Sequence, residues 1–274
     1  MKTVSVLMAV HNGARFLESS VASVTNQSLG DWELVIVDDG STDATPDIIS
    51  GLHDPRIRHI RLPSRSGLPA ALNRGLAACS GELVARFDGD DLCMQTRLEE
   101  QVAELAERPT VGVLGTWARV IDEDGNPLGA LETPVGPANV YRRLRWRNAL
   151  IHPSVVFRRE LVLRAGGYDE RALRFQDYDL WLRMAALTEL DNMARTLVAY
   201  RVHPSQQSHA KVSFGETRFV GKARRGLARE NGEPGGAAIA RQVVWWGGQL
   251  ANNRRKNRSR IILRSVSRPQ SKVR

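Results

Sequence analysis

Three carboxylates crowd into the run Asp88-Gly89-Asp90-Asp91, directly after an apolar stretch and before a helix-forming one. Carboxylates this close repel one another unless something positive shares the site. Hard oxygen ligands of this kind suit Mg2+ or Mn2+, which keep coordination positions open for phosphate oxygens. The same residues would serve equally as a solvated acidic turn capping the next helix, and spacing alone does not separate the two. A second polar turn, Asp38-Asp39-Gly40-Ser41-Thr42-Asp43, also follows an apolar stretch. Asp39 is placed to accept hydrogen bonds from a base or ribose, and Ser41 or Thr42 to cap a helix. A third turn, His11-Asn12-Gly13, follows the first apolar run, and His11 taken alone reads as a stacking or structural residue.

These turns can act together only if a scaffold brings them to one edge. The apolar runs at residues 4–10, 33–37, 57–61 and 83–87 are rich in Val, Ile and Leu, as strands covered on both faces should be. Helix-forming stretches lie between them at 14–26, 44–52 and 68–79, so the pattern is that of βαβ units on a parallel sheet. In such a sheet, ligands bind beyond the carboxyl ends of the strands, where all three turns fall. The helix after the acidic cluster carries a capping-box sequence, Thr96-Arg97-Leu98-Glu99. Beyond residue 110 the regularity weakens. Residues 111–120 read as a strand, 122–127 as the turn of a hairpin, 155–157 as a short strand, 177–187 as a helix and 196–202 as a late strand.

The 274 residues suffice for one large domain or a domain with an appendage. Composition is that of a globular protein, with 42% hydrophobic and 25% charged residues, and no apolar run is long enough to span a bilayer. Cys79 and Cys93 have neither metal-ligand nor disulfide spacing, which suits a reducing cytosol. There is no G-x-G-x-x-G and no Walker lysine, which argues against dinucleotide oxidoreductases and P-loop enzymes. Net charge is +9, yet ten Lys and Arg and no acid follow Glu233, so the excess lies in the tail after the Gly232–Gly236 linker. Such an arm suits an anionic surface, and Val243, Val244, Trp245 and Trp246 beside it suggest an element lying on lipid, with an oligomer contact as the alternative. A nucleic-acid partner is not expected, since the body is near neutral and no recognition motif is present.

The run Val4 to Gly13, the loop Val37-Asp38-Asp39-Gly40-Ser41-Thr42-Asp43 and Phe87-Asp88-Gly89-Asp90-Asp91 resemble the family 2 inverting glycosyltransferases. So do His152-Pro153-Ser154, Gly166-Gly167-Tyr168-Asp169, Gln176-Asp177-Tyr178-Asp179-Leu180-Trp181-Leu182-Arg183 and Tyr200-Arg201-Val202-His203-Pro204, in the family's order. The resemblance implies an α/β protein of the GT-A nucleotide-diphospho-sugar transferase fold. Its mostly parallel central sheet would be flanked by helices and followed by a C-terminal helical basic extension. Residues 1–110 would bind the nucleotide sugar, 111–231 would bind the acceptor and carry the catalytic base within the same domain, and 232–274 would form the extension.

The family pattern assigns Asp177 as the catalytic base. It gives Ala9, His11, Asn12, Asp39, Asn73, Asp88, Asp90 and Arg201 to the nucleotide sugar, and Asp90, Asp91 and His203 to a Mn2+ or Mg2+ ion. His152 and Trp181 fall on the acceptor side. Asp177 opens a helix, whose dipole favours a charged carboxylate. Two positions depart from the family. Leu72 stands where an Arg often precedes Asn73, which leaves a diphosphate contact missing or supplied by Arg74 or Arg86. Gln176 stands where a Glu often precedes the base, leaving Asp177 as the surviving carboxylate. The implied function is transfer of a sugar from a nucleoside-diphosphate donor, UDP being the family's commonest carrier, to a hydroxyl of a cell-surface polysaccharide or glycolipid acceptor. The enzyme would work in the cytoplasm or on the inner face of the membrane. The basic stretch Arg142 to Arg147 would receive a phosphate-bearing acceptor, or else form a solvated helix face. The alternative reading is a non-catalytic nucleotide-sugar or carbohydrate-binding protein of the same fold.

Overall fold

The computed structural model describes residues 3–204, 206, 214–230, 232, 234, 236, 239–245, 247 and 248. The chain runs β1 (Val4–Val10), α1 (Ala14–Thr25), β2 (Trp32–Asp38), α2 (Thr45–Ser50), β3 (Ile57–Arg61), α3 (Leu68–Ala78), β4 (Leu83–Asp88) and β5 (Leu92–Cys93). It continues through α4 (Arg97–Glu107), β6 (Val111–Ile121), β7 (Pro127–Leu131) and α5 (Pro137–Leu144). A 3-10 turn (His152–Ser154) leads into β8 (Val156–Arg158), α6 (Arg159–Arg164), α7 (Gln176–Met184), β9 (Glu189–Arg201) and α8 (Phe214–Glu230). Among the described residues the strands form one sheet in the order β3-β2-β1-β4-β8-β6-β9-β5, with β7 paired to β6. The half β3-β2-β1-β4 is parallel throughout, and β8 pairs antiparallel with both β4 and β6. Beyond that seam β6 and β9 run parallel, while β5 and β7 are antiparallel to their neighbours.

The parallel half follows from residues that are apolar on both faces. Every residue of β1 is buried. Because side chains alternate across a strand, Leu7 and Ala9 join the core beneath α3, α5 and α7, while Val4, Val6, Met8 and Val10 join the core beneath α1 and α4. Gly75 lets α3 lie close on the sheet, since a Cβ there would stand 2.3 Å from Leu7 Cδ1 and 2.9 Å from Val37 Cγ2. At the edge, β3 keeps only its isoleucines half-buried and turns its basic residues outward.

Three local expectations are revised. The sequence Thr96-Arg97-Leu98-Glu99 does not close as a capping box. The Thr96 hydroxyl donates to Glu100 at 2.6 Å, and the Glu99 carboxylate accepts from Ser28 instead. Strand β9 begins at Glu189, seven residues before the Val- and Thr-rich stretch that marks it in the sequence. Its first part is polar because Asp191 and Asn192 are consumed by tertiary bonds, to Arg108 and the Gly136 N–H, and to the Pro134 and Ala149 carbonyls. Third, residues 239–245 are helical, and Trp245 is buried in the same core as α7. Its indole is therefore not available to lipid, whereas Val243 and Val244 are exposed. Trp246 and the basic residues from Arg254 to Arg274 lie outside the described residues, so the arm expected to meet an anionic surface does too. None of the described helices is long and apolar enough to cross a membrane. Both cysteines are free and buried, and burial pushes the Cys79 thiol up to about 12.

Candidate active site

The acidic cluster closes β4 and the turn after it. One carboxylate oxygen from each of Asp88, Asp90 and Asp91 lies within 4.8 Å of the others. Each acid has a different protein partner. Asp88 is ion-paired with Arg86, which is buried beneath it on β4. Asp90 Oδ2 lies 2.8 Å from His203 Nε2. Asp91 is fully buried, and its Oδ1 accepts the Arg201 backbone N–H at 2.8 Å. Its Oδ2 is buried without any hydrogen-bond partner. Burial first, and then the charges of Asp88 and Asp90, push the Asp91 carboxyl well above the usual range; burial and Asp88 also raise Asp90. An orphaned buried oxygen in a set of converging carboxylates fits a hard divalent cation better than a helix cap.

The late segment reaches this cluster through Arg201 and His203. Arg201 and His203 sit against Phe16 of α1, the guanidinium 4.7 Å from the ring centroid and the imidazole 5.0 Å from it. The Arg201 guanidinium donates to the carbonyls of Asp90, Asp122 and Glu123. It thus braces the cluster from the protein side through Nε and one terminal nitrogen.

On the donor side, β1 and β2 end in interlocked turns. Asp39 N–H donates to the Val10 carbonyl, and the Asp39 carbonyl meets His11 Nδ1 at 2.8 Å. The Asp39 carboxylate, itself buried, accepts from the Ser66 and Gly67 N–H groups at 2.6 and 2.9 Å. It is thereby aimed and keeps lone pairs for a ligand donor. Asn12 is left-handed at φ 53°. Its Oδ1 accepts from Thr42 N–H and its own N–H donates to Ser41 Oγ, so Asn12 locks the two turns together. Gly40, at φ 65°, packs against the backbone of Ser64 and Arg65. Ala9 is buried at the end of β1 beside this corner. Asn73 bonds Tyr168 and Glu170 with both ends of its amide, so it holds that loop. Of the two arginines considered for the diphosphate, Arg74 is exposed on α3. Arg86 lies beneath the cluster with its Nε lacking a hydrogen-bond partner.

Asp177 opens α7, within electrostatic reach of Arg86. Its Oδ1 accepts the Tyr178 N–H at 2.7 Å and its Oδ2 accepts the Asn148 amide at 2.7 Å. Burial raises its pKa despite these bonds and the helix N-terminus, so desolvation outweighs the dipole that was expected to favour the charged form. A raised carboxylate is a stronger base. His152 Nε2 lies 3.0 Å from the Tyr168 hydroxyl. Burial, aided by Arg86, holds the His152 pKa well below the usual range, so the ring is neutral. Trp181 is fully buried beneath His152 and against Phe157, which corrects its assignment to the acceptor: it touches the site only through His152.

Asn148 and Tyr168 were not singled out from the sequence. Tyr168 stands inside a quoted motif, but its hydroxyl gains a role only when the 3-10 turn brings His152 to it. Asn148 ends the basic stretch, and nothing local signals that α5 delivers it to α7. Arg97 and Gln101 form a buried node below the site, bonding the carbonyls of Arg86, Leu114 and Ser154.

The model of Glycosyl transferase family 2 matches residues 5–165. The O-antigen biosynthesis glycosyltransferase WbnJ of Escherichia coli is 30% identical over 223 residues, covering 78% of this chain and 85% of that protein. The UDP-Gal:alpha-D-GlcNAc-diphosphoundecaprenol beta-1,3-galactosyltransferase of Escherichia coli is 29% identical over 204 residues, with 72% of this chain and 73% of that protein covered. Among solved structures, S. aureus TarS 1-349 in complex with UDP-GlcNAc superposes with a TM-score of 0.69 at 20% identity, covering 84% of this chain and 66% of that one. The chain thus spans about two thirds of the length of that structure, a likeness that speaks for the GT-A fold alone. Carried by the match over more than half its length, this chain belongs to glycosyl transferase family 2.

Proposed function

We propose that the protein is an inverting, divalent-cation-dependent glycosyltransferase that moves a sugar from a UDP-linked donor to a hydroxyl of a saccharide or lipid-linked saccharide. One observation carries this reading. A convergent acidic cluster with an unpartnered buried Asp91 oxygen and a second carboxylate, Asp177, held by two neutral donors, both lie within electrostatic reach of the buried Arg86. The residues suited to hold the ion are Asp90 and Asp91, with Asp88 or His203 completing the set and Mn2+ or Mg2+ as the fitting metals. Bound there, the ion would neutralise charge on the departing diphosphate.

The chain's own residues do the rest. The corner formed by Ala9, His11 and Asp39 receives the uracil and ribose, and Arg86 holds Asp88 from below. Asp177 accepts the acceptor's hydroxyl proton, a contribution of typically 10²–10⁴-fold. A single displacement from its side inverts the anomeric carbon. His152, neutral and tied to Tyr168, positions the acceptor. The exposed Arg142, Trp146 and Arg147 lie just before Asn148 and so border the base. They suit a phosphate-bearing acceptor, in line with the diphospholipid-linked substrate in the name of the Escherichia coli galactosyltransferase. The basic tail would hold the enzyme at an anionic membrane face.

The test is release of nucleoside diphosphate from a panel of nucleotide sugars with and without Mn2+. Metal-dependent UDP release from at least one UDP-sugar is expected, and its loss in Asp177→Asn with UDP binding retained. No turnover of any donor, together with no metal-dependent nucleotide binding, sinks the proposal. Turnover surviving in Asp177→Asn removes Asp177 as the base.

A further inference from the structure

The C-terminal helices converge on the residue that would take the proton. Arg224 of α8 is buried, and its guanidinium stacks 5.2 Å from the Tyr178 ring and 4.8 Å from Trp245. It donates to the Tyr178 hydroxyl from Nε at 3.1 Å and from a terminal nitrogen at 2.6 Å. It also donates to the Trp146 carbonyl and to Gln242 Oε1. The Tyr178 hydroxyl in turn donates to the Leu144 carbonyl. These partners are neutral oxygens, and burial lowers the Arg224 pKa.

The two groups that bond the Asp177 carboxylate belong to the two segments this guanidinium ties together. Tyr178 supplies the N–H to Oδ1, and Asn148, two residues after Trp146, supplies the amide to Oδ2. Phe175, two residues before Asp177, sits at φ 59° in the left-handed region, which a bulky L-residue rarely adopts without outside support. Its ring is packed edge-on against Trp245 at 5.1 Å.

We propose that Arg224 is a positioning residue for proton transfer, which sets the Asp177 carboxylate by holding the segments on both sides of it, with Trp245 bracing the turn at Phe175. The inference rests on Asp177 being the base. It makes the C-terminal helices part of the acceptor-side machinery although they touch no substrate.

The experiment uses the full chain and follows UDP release from UDP-GlcNAc and UDP-galactose across pH, together with UDP binding in Mn2+ by calorimetry. Arg224→Gln is expected to lower kcat about tenfold or more, as a misplaced catalytic group does, with UDP affinity kept within about twofold. The acid limb of kcat should move to higher pH, because loosening the bonds to Asp177 leaves its burial less opposed. Tyr178→Phe keeps the ring and removes the hydroxyl, and should give a smaller change of the same kind. The double variant should fall no further than Arg224→Gln alone.

An unchanged kcat and acid limb in Arg224→Gln overturns the proposal, as does a parallel loss of UDP binding, which would mark a purely structural role. If Arg224→Gln does not fold, Tyr178→Phe decides by the same two readouts. Asp177→Asn separates the levels. If it retains turnover, the base assignment falls and this proposal with it; if it is inactive while Arg224→Gln is not, only the positioning role falls.

Discussion

Gly40→Ala tests whether the donor corner depends on the close approach of two loops. Gly40 has φ 65°, and a Cβ there would lie 2.6 Å from Ser64 C, 2.7 Å from Arg65 N and 2.8 Å from Ser64 Cα. The dihedral alone costs an Ala roughly 1–2 kcal/mol. The contacts are with backbone, which cannot swing aside as a side chain can, so the 64–67 loop must move. That loop carries the Ser66 and Gly67 N–H groups that aim Asp39, bonds to a charged group worth about 1.5–3 kcal/mol each. Partial loss of one, added to the dihedral, gives a destabilisation of roughly 2–4 kcal/mol. For a chain of this size that corresponds to about 5–15 °C in melting temperature. Misaiming Asp39 should also weaken UDP binding about tenfold or more, equivalent to about 1.4 kcal/mol. Differential scanning fluorimetry and titration calorimetry with UDP and Mn2+ read the two effects. Gly40→Asn isolates the contact from the dihedral, because Asn tolerates the left-handed region yet meets the same backbone. Gly40→Ala with wild-type melting and wild-type UDP affinity would refute the reasoning, and Gly40→Asn behaving as wild type would refute the part assigned to the contact.

Asp91→Asn should abolish the strengthening of UDP binding by Mn2+, measured by calorimetry with and without the metal. Because it removes one of three mutually repelling acids, the metal-free variant should melt no lower than wild type. Asn148→Ala should lower kcat and move its acid limb to higher pH, since the Asp177 carboxyl loses a donor that opposes burial; an unmoved limb would count against that hydrogen bond. His152 is held neutral in the folded chain, whereas the unfolded chain takes up a proton near pH 6.5. Its contribution to stability is therefore complete above that pH and declines as pH falls below it, toward the lower folded value. Melting of His152→Gln measured from pH 8 to pH 5 should fall less steeply than that of wild type.

The parallel half of the fold is legible from the chain because its strands are apolar on both faces and its turns are marked by Gly, Asn and Asp. The first four strands fall within a residue of their apolar runs, and the acidic cluster appears where a strand ends. The second half is less legible because its order comes from tertiary pairing. Strand β9 starts in a polar stretch whose Asp191 and Asn192 are satisfied by distant loops. The site divides in the same way. Asp39, Asp88, Asp90, Asp91 and Asp177 are visible as residue types in motifs, and His203 reaches the cluster as its motif implied. What those groups bond to is not local information. Arg201 looks only like a cation for a phosphate, yet part of its guanidinium goes to three carbonyls, and Trp181 looks like an acceptor platform until it is found beneath the floor. Asn148 and Arg224 have no signature, since Asn148 reaches Asp177 from the loop after α5 and Arg224 acts from α8 through Tyr178.

Strand β8 is three residues long and is the seam where β4 meets the rest of the sheet. On one side of it lie the corner at Asp39 and the acidic cluster; on the other lie the residues around Asp177 and the stretch that borders it. The backbone join is narrow, but the two sides share one core and are bolted together by Asn73 to the Tyr168 backbone and by Arg201 and His203 to Asp91 and Asp90. A lineage that changes its acceptor must keep those bonds, so a chimera joined between β4 and β6 should fold only where both parents preserve them.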